Sequence, residues 1–214
     1  GKGPVAAFGV AANAKAHLCA SLARTRQVLF VTATDVTATQ LNESVRLYGV
    51  RAELFLPRET PLTYVHAASG ENRGARISAL SALLDGEPCV IAASAAALMQ
   101  TLAPKGAFAN SQITLHVGDT LEPRALIERL VSAGYERVEM VEGRGQCAAR
   151  GDLVDVFAPG EEYPVRIEFF GDEIDQMRTF DAVSQRSVEQ VQSVLIRPAL
   201  ETPQPKELTQ KALK

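Results

Sequence analysis

Two Gly-Asp pairs, Gly151-Asp152 and Gly171-Asp172, constrain this chain more than any other feature. Each interrupts a β-rich run, and Gly followed by Asp at a two-residue connection marks a type II′ hairpin. Between them, Ala158-Pro159-Gly160-Glu161 puts Pro and Gly where a chain reversal needs them. The pattern predicts antiparallel strands near 144–150, 153–157, 164–170 and 173–180.

Side chains alternate between the faces of a strand, so Val165, Ile167 and Phe169 share one face and Pro164, Arg166, Glu168 and Phe170 the other. The first set is a core face. The second carries an arginine and a large aromatic beside a carboxylate, and arginine with an exposed aromatic is the composition of a protein-interface hot spot. In a meander the first and third strands run the same way, which places Arg150 and Phe170 at one end of the sheet, about 10 Å apart across one intervening strand. Arg166 is expected about 13 Å below Phe170. The same residues also suit an internal surface ion-pair set, with Arg144 and Glu168 as neighbours, and the pattern alone leaves both readings open.

Ahead of the meander, residues 1–108 alternate strand-like and helix-like stretches, which predicts a parallel sheet with helices on its faces. Gln27–Thr32, Arg51–Leu56 and Pro88–Ala92 read as strands. Asp35 suits the N-cap of a helix running to about Tyr48. A second helix is expected over 71–84, with Ile77, Leu80, Leu83 and Leu84 as its apolar stripe and Gly86 just past its end. A third is expected over 94–102. Residues 57–70 form a Pro-, Thr- and Ser-bearing loop, and Pro104, Gly106 and Asn110 mark a boundary near 104–111. Beyond it come a strand at 112–117, a helix at 121–133 with Leu126, Ile127, Leu130 and Val131 as its stripe, and a strand at 193–197 returning to the sheet. The expected organisation is an α/β domain over 1–108, a smaller α+β domain over 109–199 whose antiparallel meander packs on a helix, and a linker with the start of a further element over 200–214.

Charge is unevenly spread: +3 over residues 1–108 and −6 over 109–214. Nucleic-acid binding draws on clustered Lys and Arg to displace phosphate counterions, so an acidic second half directs its arginines toward a protein. Hydrophobic content of 46 % and charged content of 22 % are those of an ordinary globular chain. No apolar run reaches the ~20 residues of a membrane span, and the first residues lack the apolar core of a secretory signal, so no membrane association and a cytoplasmic location are expected. Cys19, Cys89 and Cys147 are too widely spaced for a metal motif or a disulfide framework; buried thiols and no metal are expected.

The runs GYER, RGQCAARGDLVDVF, YPVRIEFFGDEID and FDAVSQRS resemble the N-terminal region of the bacterial transcription-repair coupling factors, the Mfd family, and related runs occur in the second domain of the excision-repair helicase subunit UvrB. The resemblance is dense over about 120–200 and looser over 1–110. It implies a UvrB-like module without catalysis or cofactor, a monomer whose second domain docks on UvrA and recruits excision repair to stalled RNA polymerase. Polymerase and DNA contacts would then lie in parts of a longer protein outside this chain. Matched by motif, the UvrA-contacting set is Arg150, Arg166 and Phe170; Arg144 and Glu168 are lesser candidates at its periphery as their neighbours, a position that internal pairing explains equally well.

Enzymology turns on Ala6–Ala16, which resembles a phosphate-binding loop leading from a strand into a helix. A working loop needs a second Gly for backbone approach and a Ser or Thr hydroxyl for Mg²⁺ after the Lys. Gly9 and Lys15 are present, but Ala14 stands at the Gly and Ala16 at the hydroxyl, so ATP binding is not expected and a structural turn is. The resemblance agrees, implying a helicase-like domain stripped of nucleotide binding. An ATP-dependent UvrB-type helicase fragment is the alternative.

Overall fold

The computed structural model describes residues 6–58 and 68–202. Most of the expected 57–70 loop, and all but the first residues of the expected 200–214 segment, lie outside the described residues. Those described form two compact units, one of 6–58 with 78–101 and the other of 68–77 with 102–202. The described residues are mixed α/β, with a three-stranded parallel sheet, a two-stranded antiparallel sheet and a six-stranded sheet that is antiparallel except for one parallel edge strand. None of the described helices is long and apolar enough to cross a membrane.

The first unit opens with helix α1 (Ala12–Leu22), strand β1 (Gln27–Thr32), helix α2 (Asp35–Arg46) and strand β2 (Ala52–Phe55). After the later part of helix α3 (Ala68–Asp85) come strand β3 (Cys89–Ser94) and the single turn α4 (Ala95–Leu98). The sheet is parallel in the order β1-β3-β2. Its central strand is buried at every position, as expected when both faces are covered. Val90 and Ala92 pack with α1 and α2, while Cys89, Ile91 and Ala93 pack with α3 and α4.

Several local expectations shift. The N-cap of α2 is Thr34, whose hydroxyl accepts from the Thr37 N–H at 3.3 Å, so Asp35 lies inside the first turn, where a carboxylate favours the helix dipole. On α3 Ile77 is fully buried as expected, but the contacts with the parallel sheet are made by Ala79 and Ala82, with Leu80 and Leu84 only half-buried and Leu83 exposed. Small residues let helix and sheet approach closely, and the larger leucines are displaced to the rim. The helix expected over 94–102 stops at Leu98. There the Gln100 side chain bridges the backbone of Arg58, accepting from its N–H at 2.7 Å and donating to its carbonyl at 3.2 Å. A short helix α5 (Lys105–Ala109) occupies the stretch read as a boundary.

The second unit continues with strand β4 (Ile113–His116), helix α6 (Pro123–Ser132) and strands β5 (Glu136–Arg137), β6 (Gln146–Arg150), β7 (Leu153–Phe157), β8 (Val165–Phe170), β9 (Glu173–Phe180), β10 (Ser187–Val191) and β11 (Ser193–Ile196). The meander β6–β9 forms as expected, flanked by β10 and β5 in a six-stranded sheet. Strand β11 does not return to it but pairs with β4. Gly151 and Gly171 have φ of 59° and 64°, while neither Asp152 nor Asp172 has a positive φ, the combination a type II′ turn requires. Across the Pro159-Gly160 turn the Glu161 N–H donates to the Ala158 carbonyl, with Gly160 at φ 84°.

Helix α6 begins with Pro at its first position and ends in a Schellman motif, in which Tyr135 N–H donates to Leu130 C=O and Gly134 N–H to Val131 C=O. Gly134 has φ 95°, and a Cβ there would come within 2.4 Å of the Leu200 side chain. Leu126, Ile127, Leu130 and Val131 are buried against Val154, Val156, Val165, Ile167, Phe169, Ile174 and Met177. A separate buried pair ties Arg76 of α3 to Glu201, with Arg76 Nη2 donating to Glu201 Oε2 at 3.0 Å.

Ile167→Ala should therefore destabilise the second unit by about 2–5 kcal/mol, read from urea unfolding, because a fully buried side chain leaves a cavity. A cost under about 1 kcal/mol would contradict this core. All three cysteines are buried as free thiols, and burial pushes the Cys147 thiol up to about 12. The native protein should accordingly resist alkylation at pH 8 and expose three reactive thiols only on denaturation. Rapid labelling of the native protein would refute it.

Candidate functional site

The face of the meander turned away from α6 is organised by one carboxylate. Asp155, in the middle of β7, is only 2 % exposed and is level with Ala148 on β6 and Arg166 on β8. A carboxylate taken out of water must be paired and hydrogen-bonded. Arg166 supplies the pairing as a fork, Nε donating to Oδ1 at 2.7 Å and Nη2 to Oδ2 at 2.8 Å. Arg150 Nη2 adds a third bond to Oδ2 at 3.2 Å. The Arg166 guanidinium lies over the Phe180 ring, 4.4 Å from its centroid, and donates from Nη2 to Gln185 Oε1 at 3.0 Å. Its hydrogen bonds to Asp155 raise its pKa, holding it charged.

A second network lies beside the first. Glu168 pairs with Arg178 and accepts from Gln176 Nε2 at 2.7 Å. Arg144, at the sheet's other margin, donates from Nε to the Glu161 carbonyl at 2.8 Å and sits over Phe157, 5.3 Å from the ring centroid. Both peripheral candidates thus have intramolecular partners.

The three principal candidates share this face but differ in access. Phe170 is 84 % exposed at the tip of β8. The side chain of Arg150 is 48 % exposed and that of Arg166 only 12 %. The register also refines their spacing. Arg150 is level with Leu153, and Leu153 with Glu168, so Phe170 projects two residues beyond Arg150 rather than standing beside it. The internal ion-pair reading describes Arg166 well, since most of its fork faces inward. What the face offers outward is an apolar anchor, a half-open arginine and one edge of a rigidly held guanidinium. That arrangement suits docking against a protein surface.

In the first unit, Gly9 has φ 67° and α1 follows from Ala12, but residues 6–11 form no strand, so the expected strand-to-helix turn is a turn and helix alone. Ala14 and Lys15 face solvent, whereas Ala16 is fully buried beside Cys19 and Ala20. Among the described residues no group of three His, Cys, Asp or Glu stands close enough to hold a metal ion.

Sequence reasoning passed over Asp155, Phe180, Arg178 and Gln185. Asp155 did leave a trace, as the single charged residue in the apolar run Leu153–Phe157. Gln185 left none.

The UvrB interaction domain family matches residues 113–201, which contain the whole face. The chain is 36 % identical over 167 residues to the transcription-repair-coupling factor of Bacillus subtilis, covering 78 % of this chain and 14 % of the relative. It is 42 % identical over 106 residues to that of Escherichia coli, or 50 % of this chain and 9 % of the relative. With the UvrABC system protein B of Kosmotoga olearia it shares 35 % identity over 126 residues, 59 % of this chain and 19 % of the relative. The chain spans a small part of the length of these relatives.

Asp155→Ala should cost about 3–5 kcal/mol in urea unfolding, because it strands the enclosed Arg166 without its partner. Arg150→Ala should cost only about 0–1 kcal/mol, its half-open side chain being replaced by water. Equal costs for the two substitutions would show that Asp155 does not organise the face.

Proposed function

We propose, from the match of residues 113–201 to the UvrB interaction domain family and the similarity of the chain to transcription-repair-coupling factors, that this face docks on UvrA as part of a non-catalytic adaptor. In this reading Phe170 is the apolar anchor, Arg150 makes the open charged contact, and Arg166 presents a fixed donor edge from within the Asp155 network. The observation that carries it is the exposed Phe170 beside two arginines already oriented by a buried carboxylate. An 84 % exposed phenylalanine on a well-paired strand is not packed into the core of the described residues, and interfaces concentrate their energy in such aromatic and arginine residues.

The proposal extends to the organisation of the chain. The first unit serves as a helicase-like scaffold that holds no nucleotide, its helix seated by the buried Ala16 methyl where a phosphate loop would carry a hydroxyl. The domain bounds, 1–108 and 109–199, follow the same reading. Recruitment of excision repair to RNA polymerase, and contact with DNA, belong to the longer protein of which such a module forms a part.

Calorimetric titration of the 214-residue chain into purified UvrA tests the site. Phe170→Ala and Arg150→Ala should each weaken binding by about 1–3 kcal/mol while changing unfolding by no more than about 1 kcal/mol. Arg166→Glu is the poorer probe, since it would set a second carboxylate against buried Asp155. Wild-type affinity in both Phe170→Ala and Arg150→Ala would remove the face from the interface.

A further inference from the structure

Gln185 is the one non-glycine among the described residues with a left-handed backbone, at φ 58°. Glutamine visits that region at a cost, and such strain persists where the surroundings impose it, often beside a functional group. Closure of the loop does not require the Gln185 side chain. Asp181 Oδ1 accepts from the Ser184 N–H at 2.7 Å and from its hydroxyl at 2.6 Å. The Gln185 N–H donates to the Asp181 carbonyl at 2.8 Å, and the Asp181 N–H to the Arg186 carbonyl at 2.9 Å. What the unusual conformation does achieve is to aim the Gln185 amide. Nε2 donates to the Ala182 carbonyl at 2.8 Å, which orients the group, and Oε1 accepts from Arg166 Nη2 at 3.0 Å.

A guanidinium has five N–H donors in a rigid plane. In Arg166 the Nε hydrogen and one Nη2 hydrogen go to Asp155, and the second Nη2 hydrogen goes to Gln185. Among the described residues no acceptor is bonded to Nη1. The Phe180 ring fixes the plane from one side. With Nε and Nη2 engaged inside the protein and the plane held, the direction of the Nη1 edge is determined.

We infer that Gln185 is a positioning residue of the docking face: it locks Arg166 so that the Nη1 edge alone meets the partner, whose matching group is a carboxylate or a carbonyl oxygen. The inference rests on the UvrA-docking reading above and adds to it a residue 15 positions beyond Phe170 in sequence, on a different loop from either hairpin. Without Gln185 the fork to Asp155 persists, but the guanidinium regains a competing outlet for its Nη2 hydrogen and freedom to tilt on Phe180.

The experiment is titration of the 214-residue chain carrying Gln185→Gly into purified UvrA, with urea unfolding of the same variant. Glycine accepts φ 58° without strain and removes the amide. Affinity should fall about three- to tenfold, the worth of one hydrogen bond, with the unfolding midpoint held or raised. In an Arg166→Lys background, which has no fork to orient, Gln185→Gly should cost no further affinity. Wild-type affinity in Gln185→Gly, with Phe170→Ala weakened in the same assay, overturns the inference and leaves the docking reading standing. A lowered midpoint with a fully additive loss in the Arg166→Lys background would assign Gln185 a structural role and overturn it as well. If Phe170→Ala and Arg150→Ala both bind like wild type, the docking reading fails and this inference with it.

Discussion

A carboxylate buried in the middle of a sheet imposes demands on everything around it. Asp155 would be strongly disfavoured at 2 % exposure without compensating charge, so both neighbouring strands must deliver an arginine at the right height and on the right face. That condition is met by the register of β7 against β8, keeps Arg166 from sampling solvent, and gives Phe180 a cation to lie against. Buried ion pairs are not reliable sources of net stability, because desolvation offsets much of the attraction. Their more dependable effect is to penalise alternatives. A slip of one residue in β8 would put Arg166 on the α6 face and Ile167 opposite the carboxylate.

The two units meet the requirement to cover a sheet in different ways. In the parallel sheet both faces of β3 are closed by helices, and alanines on α1, α2 and α3 allow close approach. The six-stranded sheet has only one face packed on α6, together with residues of β4 and β11. Its other face is polar and networked for most of its area, with Ala148 and Phe157 packed beneath Val141 at one margin. A half-covered sheet whose open face has its carboxylates paired and yet ends in an exposed phenylalanine is well prepared for a partner. Asp155, Glu168 and the Arg166 fork are already paired, so docking need not reorganise them, and the apolar anchor supplies burial.

Much of this was readable from local rules. Gly-Asp pairs dictated the two hairpins because only glycine accepts the positive φ that a type II′ turn places at its first central residue. Period-two alternation separated Ile167 from Arg166, and helical spacing marked the α6 stripe from Leu126 to Val131. Where spacing misled, a tertiary contact had intervened. Leu83 belongs to a helical stripe but yields the interior to Ala82, and β11 carries strand-forming residues but finds its partner in β4. Strand β10, whose residues are nearly all exposed, had no burial pattern to announce it.

For the site, the sequence by itself determined which residues share a face and which turns hold them, including the joint placement of Arg150, Arg166 and Phe170. The two-residue hairpin also locked β6 to β7, since a turn of fixed type admits one register. For β8 and β9 the register set by the turn holds only for Phe170 and Phe169 before a bulge shifts it by one residue. Between β7 and β8 the connection runs through residues 158–164, too long to dictate a register. That the Arg166 fork closes on Asp155 was therefore decided by packing, through the fit of Val154 and Val156 against Ile167 and Val165 on the core side. The contact between Gln185 and Arg166 depended on more still, a loop folding back across 19 residues of chain. Local propensity reports what a residue prefers near its neighbours; which distant group completes a guanidinium's hydrogen bonds is settled only when the sheet is assembled.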